Sequence, residues 1–225
     1  MYENRIGCFE DLHRALGQHR HGALWLYRGQ AEADWQLVPQ VGRNQHLGRA
    51  ELDLFAAWKR NAVQFIEYPP PSDWDWLAIA QHHGLATRLL DWTINPLVAA
   101  FFASCKQCPG EAVVWAFSPK AAANPESQNP FQVDGVLLYR PGAHAARIAR
   151  QGAAFTVHGP PTRPVGDGDG DLHKFVIGAE YRNDLLMELS QYGYNHSTLF
   201  PDLDGLSHFM NWLAVTGRLP EERVG

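Results

Sequence analysis

Cysteine is scarce in this chain, with only Cys8, Cys105 and Cys108. An odd and sparse set does not make a disulfide framework, so the expectation is reduced thiols in a reducing compartment. Long apolar runs are missing too. None approaches the roughly 20 residues that span a bilayer, and the opening MYENRIGCFEDLHRALG lacks the apolar stretch of a secretory signal, which points to the cytoplasm and to no membrane partner. There is no excess of positive charge, since 19 Lys and Arg face 24 Asp and Glu for a net charge of −5. That excludes a global pull toward nucleic acid while leaving room for a local basic groove. No glycine-rich loop with lysine occurs and no Gly-x-Ser-x-Gly elbow, so P-loop and hydrolase-elbow chemistry find no support.

Two apparent metal signals fall away on inspection. Cys105 and Cys108 form a lone Cys-x-x-Cys without the second pair that tetrahedral zinc needs. Asp167, Asp169 and Asp171 imitate the start of a calcium loop, but Leu172 stands where the sharp-turn glycine belongs and Gly178 where the bidentate glutamate belongs. A turn is expected there, and no metal.

What the chain does have is enough apolar content, 45%, to bury a proper core in 225 residues, and eight tryptophans to fill it or to line a groove for a flat ligand. The opening FEDLHRALGQ has helical spacing, and HGALWLYRGQ alternates into a strand ending at Arg28, Gly29 and Gln30. Residues Arg49 to Ile66 read as a helix with apolar positions at Leu52, Phe55, Trp58 and Val63, ended by YPPPSDW. Strands are expected at EAVVWAFSP, DGVLLYRP, AAFTVH, LHKFVIG and HSTLF, and helices at RNDLLMELSQYG and LDGLSHFMNWLAV. With no repeat and no biased linker, the expectation is a single domain over residues 1–225. Its fold class is α+β, or mixed α/β, with a central, mostly antiparallel sheet flanked by helices.

The segment Asp73 to Ala103 carries the most information. Its first part reads as a helix stopped at Gly84, Leu85 to Trp92 reads as a strand, and Asn95-Pro96 opens a second helix, LVAAFFA. Left over are His82, His83, Thr87, Arg88, Asp91, Trp92, Thr93 and Asn95, too polar a set for a plain buried strand. Arg88 and Asp91 lie three apart on a strand, so their side chains tend to opposite faces and each needs its own partner.

The strings WLYRGQ, WDWLAIAQHHGLATRLLDWTINPLVAAFFA, RIARQGAAFTVH and LFPDLDGL together resemble the FRG domain, a family named for a Phe-Arg-Gly-like motif in which Tyr27 here replaces the phenylalanine. The resemblance runs from about Phe9 to Leu213, and the family occurs in bacterial and phage settings. A second resemblance is to mono-ADP-ribosyltransferases, which carry Tyr-Arg-Gly at the end of an early strand and a Ser-Thr-Ser strand leading through proline to a helix ending Phe-Ala. LYRG is similar to the first element, and DWTINPLVAAFFA to the second, with only Thr93 keeping a hydroxyl. The catalytic glutamate of those enzymes has no obvious counterpart, and Gln151, Asp202 or Asp204 are the candidates.

These resemblances imply an ADP-ribosyltransferase-like fold and an NAD-binding enzyme that transfers ADP-ribose or hydrolyses NAD, as a toxin or antiphage effector, with a nucleic-acid or protein acceptor. Arg28 suits a pyrophosphate clamp, and Gly29 beside it would let a ligand approach the backbone. Gln30, Arg88, Trp92, Thr93 and Asn95 complete the expected NAD contacts, with Trp92 or Trp35 stacking on nicotinamide. His83 would bind a ribose hydroxyl or move a proton, and Asp91, Asp202 or Asp204 would stabilise positive charge at the ribose. Arg147 and Gln151, four apart on one face of a helical turn, have the spacing to bracket a phosphate or to cap a strand start. Two alternatives stand beside this reading. One is a non-enzymatic module that binds a nucleotide or nucleic acid through Arg28, Arg88, His83 and tryptophan stacking. The other is a purely structural adaptor, with Arg28, Arg88 and Asp91 locked in internal pairs and no cavity between them.

Overall fold

The computed structural model describes residues 2–19, 22–106, 108–141 and 153–219. The strands are β1 (Tyr2–Ile6), β2 (Leu26–Gln30), β3 (Leu89–Thr93), β4 (Ala112–Pro119), β5 (Gly135–Tyr139), β6 (Ala153–Gly159) and β7 (Gly170–Ile177). They form one seven-stranded sheet in the order β1-β7-β4-β2-β3-β6-β5. Only β1 and β7 run parallel, and every other neighbouring pair is antiparallel. The helices are α1 (Phe9–Gly17), α2 (Gln45–Arg49), α3 (Glu51–Ala62), α4 (Asp73–His82), α5 (Pro96–Ser104), α6 (Arg182–Gln191), α7 (His196–Leu199) and α8 (Leu203–Val215). The architecture is the expected α+β arrangement around a mostly antiparallel sheet.

Strand alternation divides the core between two sheet faces. On one face, Tyr27, Val114, Ala116, Phe175 and Ile177 pack under α1, α5 and α6. Farther along it, Leu89, Phe155, Val157 and Tyr139 pack under α3 and α4 through Phe55, Trp74, Trp76 and Leu77. The other face carries Leu26, Leu90, Trp92, Val113, Trp115, Phe117 and Leu172, and among the described residues no α-helix contributes to this cluster. Irregular chain covers it instead, through Leu37 and Val165, which are joined by Val165 N–H to the Leu37 carbonyl at 3.1 Å.

Helix α5 shows how composition sets this packing. Ala99, Ala100 and Ala103 are fully buried, so the helix can lie directly on β2. A Cβ on Gly29 would overlap the Ala99 carbonyl oxygen and the Ala103 nitrogen. Gly29 is therefore required by the helix, and the ligand approach expected there is blocked. Asn95 caps α5 by accepting from the N–H groups of Leu97 and Val98, with Pro96 at the first helical position. At its C-terminus α4 ends in a glycine-based motif. Gly84 has φ of 85°, Gly84 N–H donates to the Gln81 carbonyl at 3.0 Å, and Leu85 N–H to that of Ala80 at 2.9 Å.

Four sequence expectations change. HSTLF is a helical turn because Asn195 accepts from Thr198 N–H while the Thr198 hydroxyl accepts from Asn195 N–H, a reciprocal cap that outweighs the β-branched content. The helix expected from Arg49 to Ile66 is divided at Ala50, leaves Leu52 and Val63 exposed, and ends in a 3-10 turn, Val63–Phe65. The strand expected from Leu85 starts at Leu89. Strand β1 was not expected from the opening residues, since only its parallel pairing to β7 organises it.

Candidate functional site

Arg28 and Asp91 meet where β2 and β3 part. The ladder between these strands holds one residue pair, Tyr27 with Thr93. Past that pair Arg28 sits at the gap, and its Nη1 donates to the Asp91 carbonyl at 2.7 Å and lies 3.7 Å from the carboxylate. The Arg28 side chain is 19% exposed, and its buried Nε has no partner among the described residues. Burial lowers the guanidinium pKa, with Asp91 opposing that shift and the charge of Arg43 adding to it. Asp91 is half exposed and held in place from α4, where Gln81 Nε2 donates to its Oδ2 at 2.8 Å. Gln81 is fixed in turn because its Oε1 accepts from the Thr87 hydroxyl at 2.7 Å. Neither Gln81 nor this relay was singled out in the sequence. The one signal was a glutamine closing the apolar run WLAIA.

Other predicted contacts are committed elsewhere. Arg88 is buried, with Nε and Nη2 forked onto both oxygens of Glu51 at 2.8 and 2.5 Å and Nη1 on the Pro130 carbonyl at 3.2 Å. A guanidinium so saturated in a closed site holds α3 to the start of β3 and has no fork left for NAD. Trp92 is 3% exposed, packs on Phe117 and donates its Nε1–H to Thr156, so it belongs to the core and not to a stacking surface. The Gln30 oxygen accepts from Trp115 Nε1 at 2.9 Å. Thr93 Oγ1 accepts from Asn95 N–H, and Asn95 Nδ2 donates to Tyr194. His83 ends α4, with its exposed ring edge-on to that of His82. Asp202 is the N-cap of α8, where it accepts from Gly205 N–H at 2.7 Å, and Asp204 lies exposed in the first turn of that helix. Both sit where a helix dipole favours negative charge, and no hydrogen bond or ion pair brings them to Arg28 among the described residues. Arg147 and Gln151 lie outside the described residues. Asp169 ties its turn through Arg163 at 2.6 Å and Gly166 N–H at 3.0 Å.

A buried polar chain lies close to Arg28 on the face that carries Trp92. Trp92 Nε1–H donates to Thr156 Oγ1 at 3.0 Å, and Thr156 Oγ1 lies 2.9 Å from His158 Nε2. His158 Nδ1 is 2.7 Å from the Arg163 carbonyl, which can only accept. The proton therefore sits on Nδ1, Nε2 accepts from the threonine, and every group is satisfied by a neutral imidazole. Burial lowers the His158 pKa to about 4, and the charges of Arg163 and Arg28 push the same way.

Along the same face, register sets Arg28 opposite Trp115, Trp115 opposite Lys174, and Lys174 opposite Glu3. Lys174 Nζ stands 5.8 Å from the Trp115 ring and 3.5 Å from Glu3. A cleft of about 410 Å³ opens beside Trp115 and Lys174 of this row, walled also by Trp35, Leu37, Val165, Asp34 and Asp167, and Arg28 is not in its lining. Trp35 is 47% exposed, so its ring is available to a ligand where that of Trp92 is not. Among the described residues no group of three or more His, Cys, Asp or Glu is placed to hold a metal ion, and no helix is long and apolar enough to cross a membrane.

The family model of the FRG domain matches residues 23–112, from the turn before β2 to the first residue of β4. No curated protein and no solved structure matches the chain. The matched stretch holds Arg28, Gln81, Arg88 and Asp91, so the clamp-like pair and the buried ion pair both lie within it. Over residues 23–112 this chain is similar to the FRG domain family.

Proposed function

We propose that this chain is an NAD-binding, ADP-ribosyltransferase-like enzyme of the cytoplasm, which transfers ADP-ribose to a nucleic-acid or protein acceptor or hydrolyses NAD, as a toxin or antiphage effector. The observation that carries the proposal is Arg28, a largely buried cation with an unsatisfied Nε–H, 3.7 Å from a carboxylate and one strand from an indole-lined cleft. A guanidinium donor that nothing among the described residues satisfies suits a pyrophosphate oxygen. Trp35, half-exposed in the cleft, suits the flat ring of the same ligand. In the reaction the bond between nicotinamide and ribose breaks with its electron pair leaving on nicotinamide. The Asp91 carboxylate, held by Gln81, stabilises the positive ribosyl carbon that results, and the acceptor or water then adds and loses a proton.

The test is incubation of the protein with NAD, alone and with a cell lysate, following nicotinamide release by mass. Release is expected from the wild type, lost in Arg28→Ala and reduced about 100-fold in Asp91→Asn. Absence of release under both conditions overturns the enzyme reading. One observation favours the second reading, a nucleotide or nucleic-acid binding module without turnover: no glutamate stands beside Arg28 among the described residues, and Glu51 is spent on Arg88. Saturable, salt-dependent binding without a covalent product would establish it.

A further inference from the structure

The end of α5, the chain after it and the start of α6 enclose a second cavity, of about 300 Å³, on the helix-covered side of the sheet. Ser104, Lys106, Cys108, Arg182 and Asn183 line it, together with Pro109. Arg182 is 4% exposed, and none of its bonds is to a carboxylate. Its Nη1 donates to the carbonyls of Cys108 and Gly110 at 3.0 and 3.2 Å, and its Nη2 to that of Ala103 at 2.9 Å. Those bonds fasten the C-terminal turn of α5 and leave the buried Nε–H without a partner. Ser104 Oγ, on a residue also 4% exposed, is buried and unpartnered in the same wall. Two buried donors left open in one cavity are costly unless something from outside completes them.

The charge and backbone around them indicate the sign of that partner. Arg182 and Lys106 bring two positive charges, and no acidic residue lines the cavity. Arg182 and Asn183 are the first two residues of a ten-residue helix whose N-cap, Tyr181, gives no side-chain cap to the first N–H groups, its hydroxyl donating to Glu188 instead. Their backbone N–H groups are among those that helix geometry leaves free, and the helix dipole places partial positive charge there. Asp184, in the same turn, is exposed and does not line the cavity.

We propose that this cavity is a phosphate-binding site, in which Arg182 Nε–H, the Ser104 hydroxyl, the Lys106 ammonium and the first N–H groups of α6 hold the oxygens of a phosphate group. The volume exceeds that of one phosphate ion and admits a phosphate monoester. The site is separate from Arg28 and independent of the NAD proposal, because it lies on the opposite face of the sheet.

The experiment is 31P NMR titration with inorganic phosphate and, in parallel, with phenyl phosphate, at ionic strength held constant with chloride. The wild type should bind saturably. Ser104→Ala, which removes only the hydroxyl, should raise Kd about tenfold, the equivalent of one hydrogen bond to a charged group. Arg182→Lys, checked for folding by circular dichroism because Arg182 also fastens α5, should raise it further. Lys106→Ala, exposed and free of any packing role, should weaken binding and flatten its salt dependence. Tighter binding of the monoester would assign the site to a phosphorylated ligand, and equal or weaker binding would assign it to free phosphate. Lack of saturation up to about 10 mM, or an unchanged Kd in both Ser104→Ala and Lys106→Ala, overturns the proposal.

Discussion

Arg28 and Arg88 stand within the same matched stretch on either side of β3, and the fold treats them in opposite ways. Arg88 is closed in with Glu51, both its forked nitrogens are used, and the Phe131 ring lies 5.0 Å from its guanidinium carbon. Arg28 has a carbonyl, a carboxylate at 3.7 Å and a buried Nε–H that is left open. The first arrangement is complete within the chain, so its worth lies in holding α3 to β3. The second is incomplete, with a buried donor that nothing among the described residues satisfies. Saturation, more than burial or charge, separates the structural arginine from the functional candidate.

The sharpest way to break this comparison is to remove one partner of the closed pair. Glu51→Ala leaves the Arg88 charge buried and unpaired, and should cost about 3–5 kcal/mol in urea unfolding. The double change Glu51→Leu with Arg88→Met should recover most of that loss, while a loss under about 1 kcal/mol in the single variant would show that the pair holds nothing. Next comes acid. The folded pKa of His158 lies near 4, below its usual 6.5, so the unfolded chain takes up the proton first. Its stability contribution is full above pH 6.5 and is lost as pH falls toward 4, on the order of 3 kcal/mol in all. His19, also lowered to about 4 chiefly by burial, adds in the same direction. Only the part of the slope that disappears in His158→Gln therefore belongs to the polar chain beside Arg28, and an unchanged slope would refute this assignment.

Arg28→Ala should cost only about 1 kcal/mol, since the change removes an unsatisfied donor along with a hydrogen bond, yet it should abolish NAD turnover. Equal stability losses in Arg28→Ala and Arg88→Ala, read from the same unfolding curves, would dissolve the contrast. The smallest effect belongs to Trp35→Ala. Its exposed ring should leave stability within about 0.5 kcal/mol while raising the KM for NAD, and an unchanged KM would remove the cleft from the proposed site.

Much of this was legible in the residues. The strand ending at Arg28, the glycine stop at Gly84, the proline-started helix at Asn95-Pro96 and the antiparallel majority of the sheet all follow from local pattern and cap chemistry. The need of Arg88 and Asp91 for separate partners followed from strand alternation, and the partners are Glu51 for the one and Gln81 with Arg28 for the other. Their identity was not legible, because Glu51 is 37 residues from Arg88 and only the packing of α3 brings it there. Trp92 looked like a stacking ring because indoles serve cores and clefts alike, and the facing hydroxyl of Thr156 decided between them. Gly29 looked like a ligand approach, and helix α5 fills that space.

By itself the sequence determined most of the helices and strands, though not all their ends, which faces are apolar, and which polar side chains the core cannot absorb without help, because these depend on period and capping over a few residues. The tertiary structure alone decided which cation is satisfied and which is not. Saturation depends on donors and acceptors meeting across strands and helices far apart in the chain, and it left Arg28 and Arg182 open while it closed Arg88.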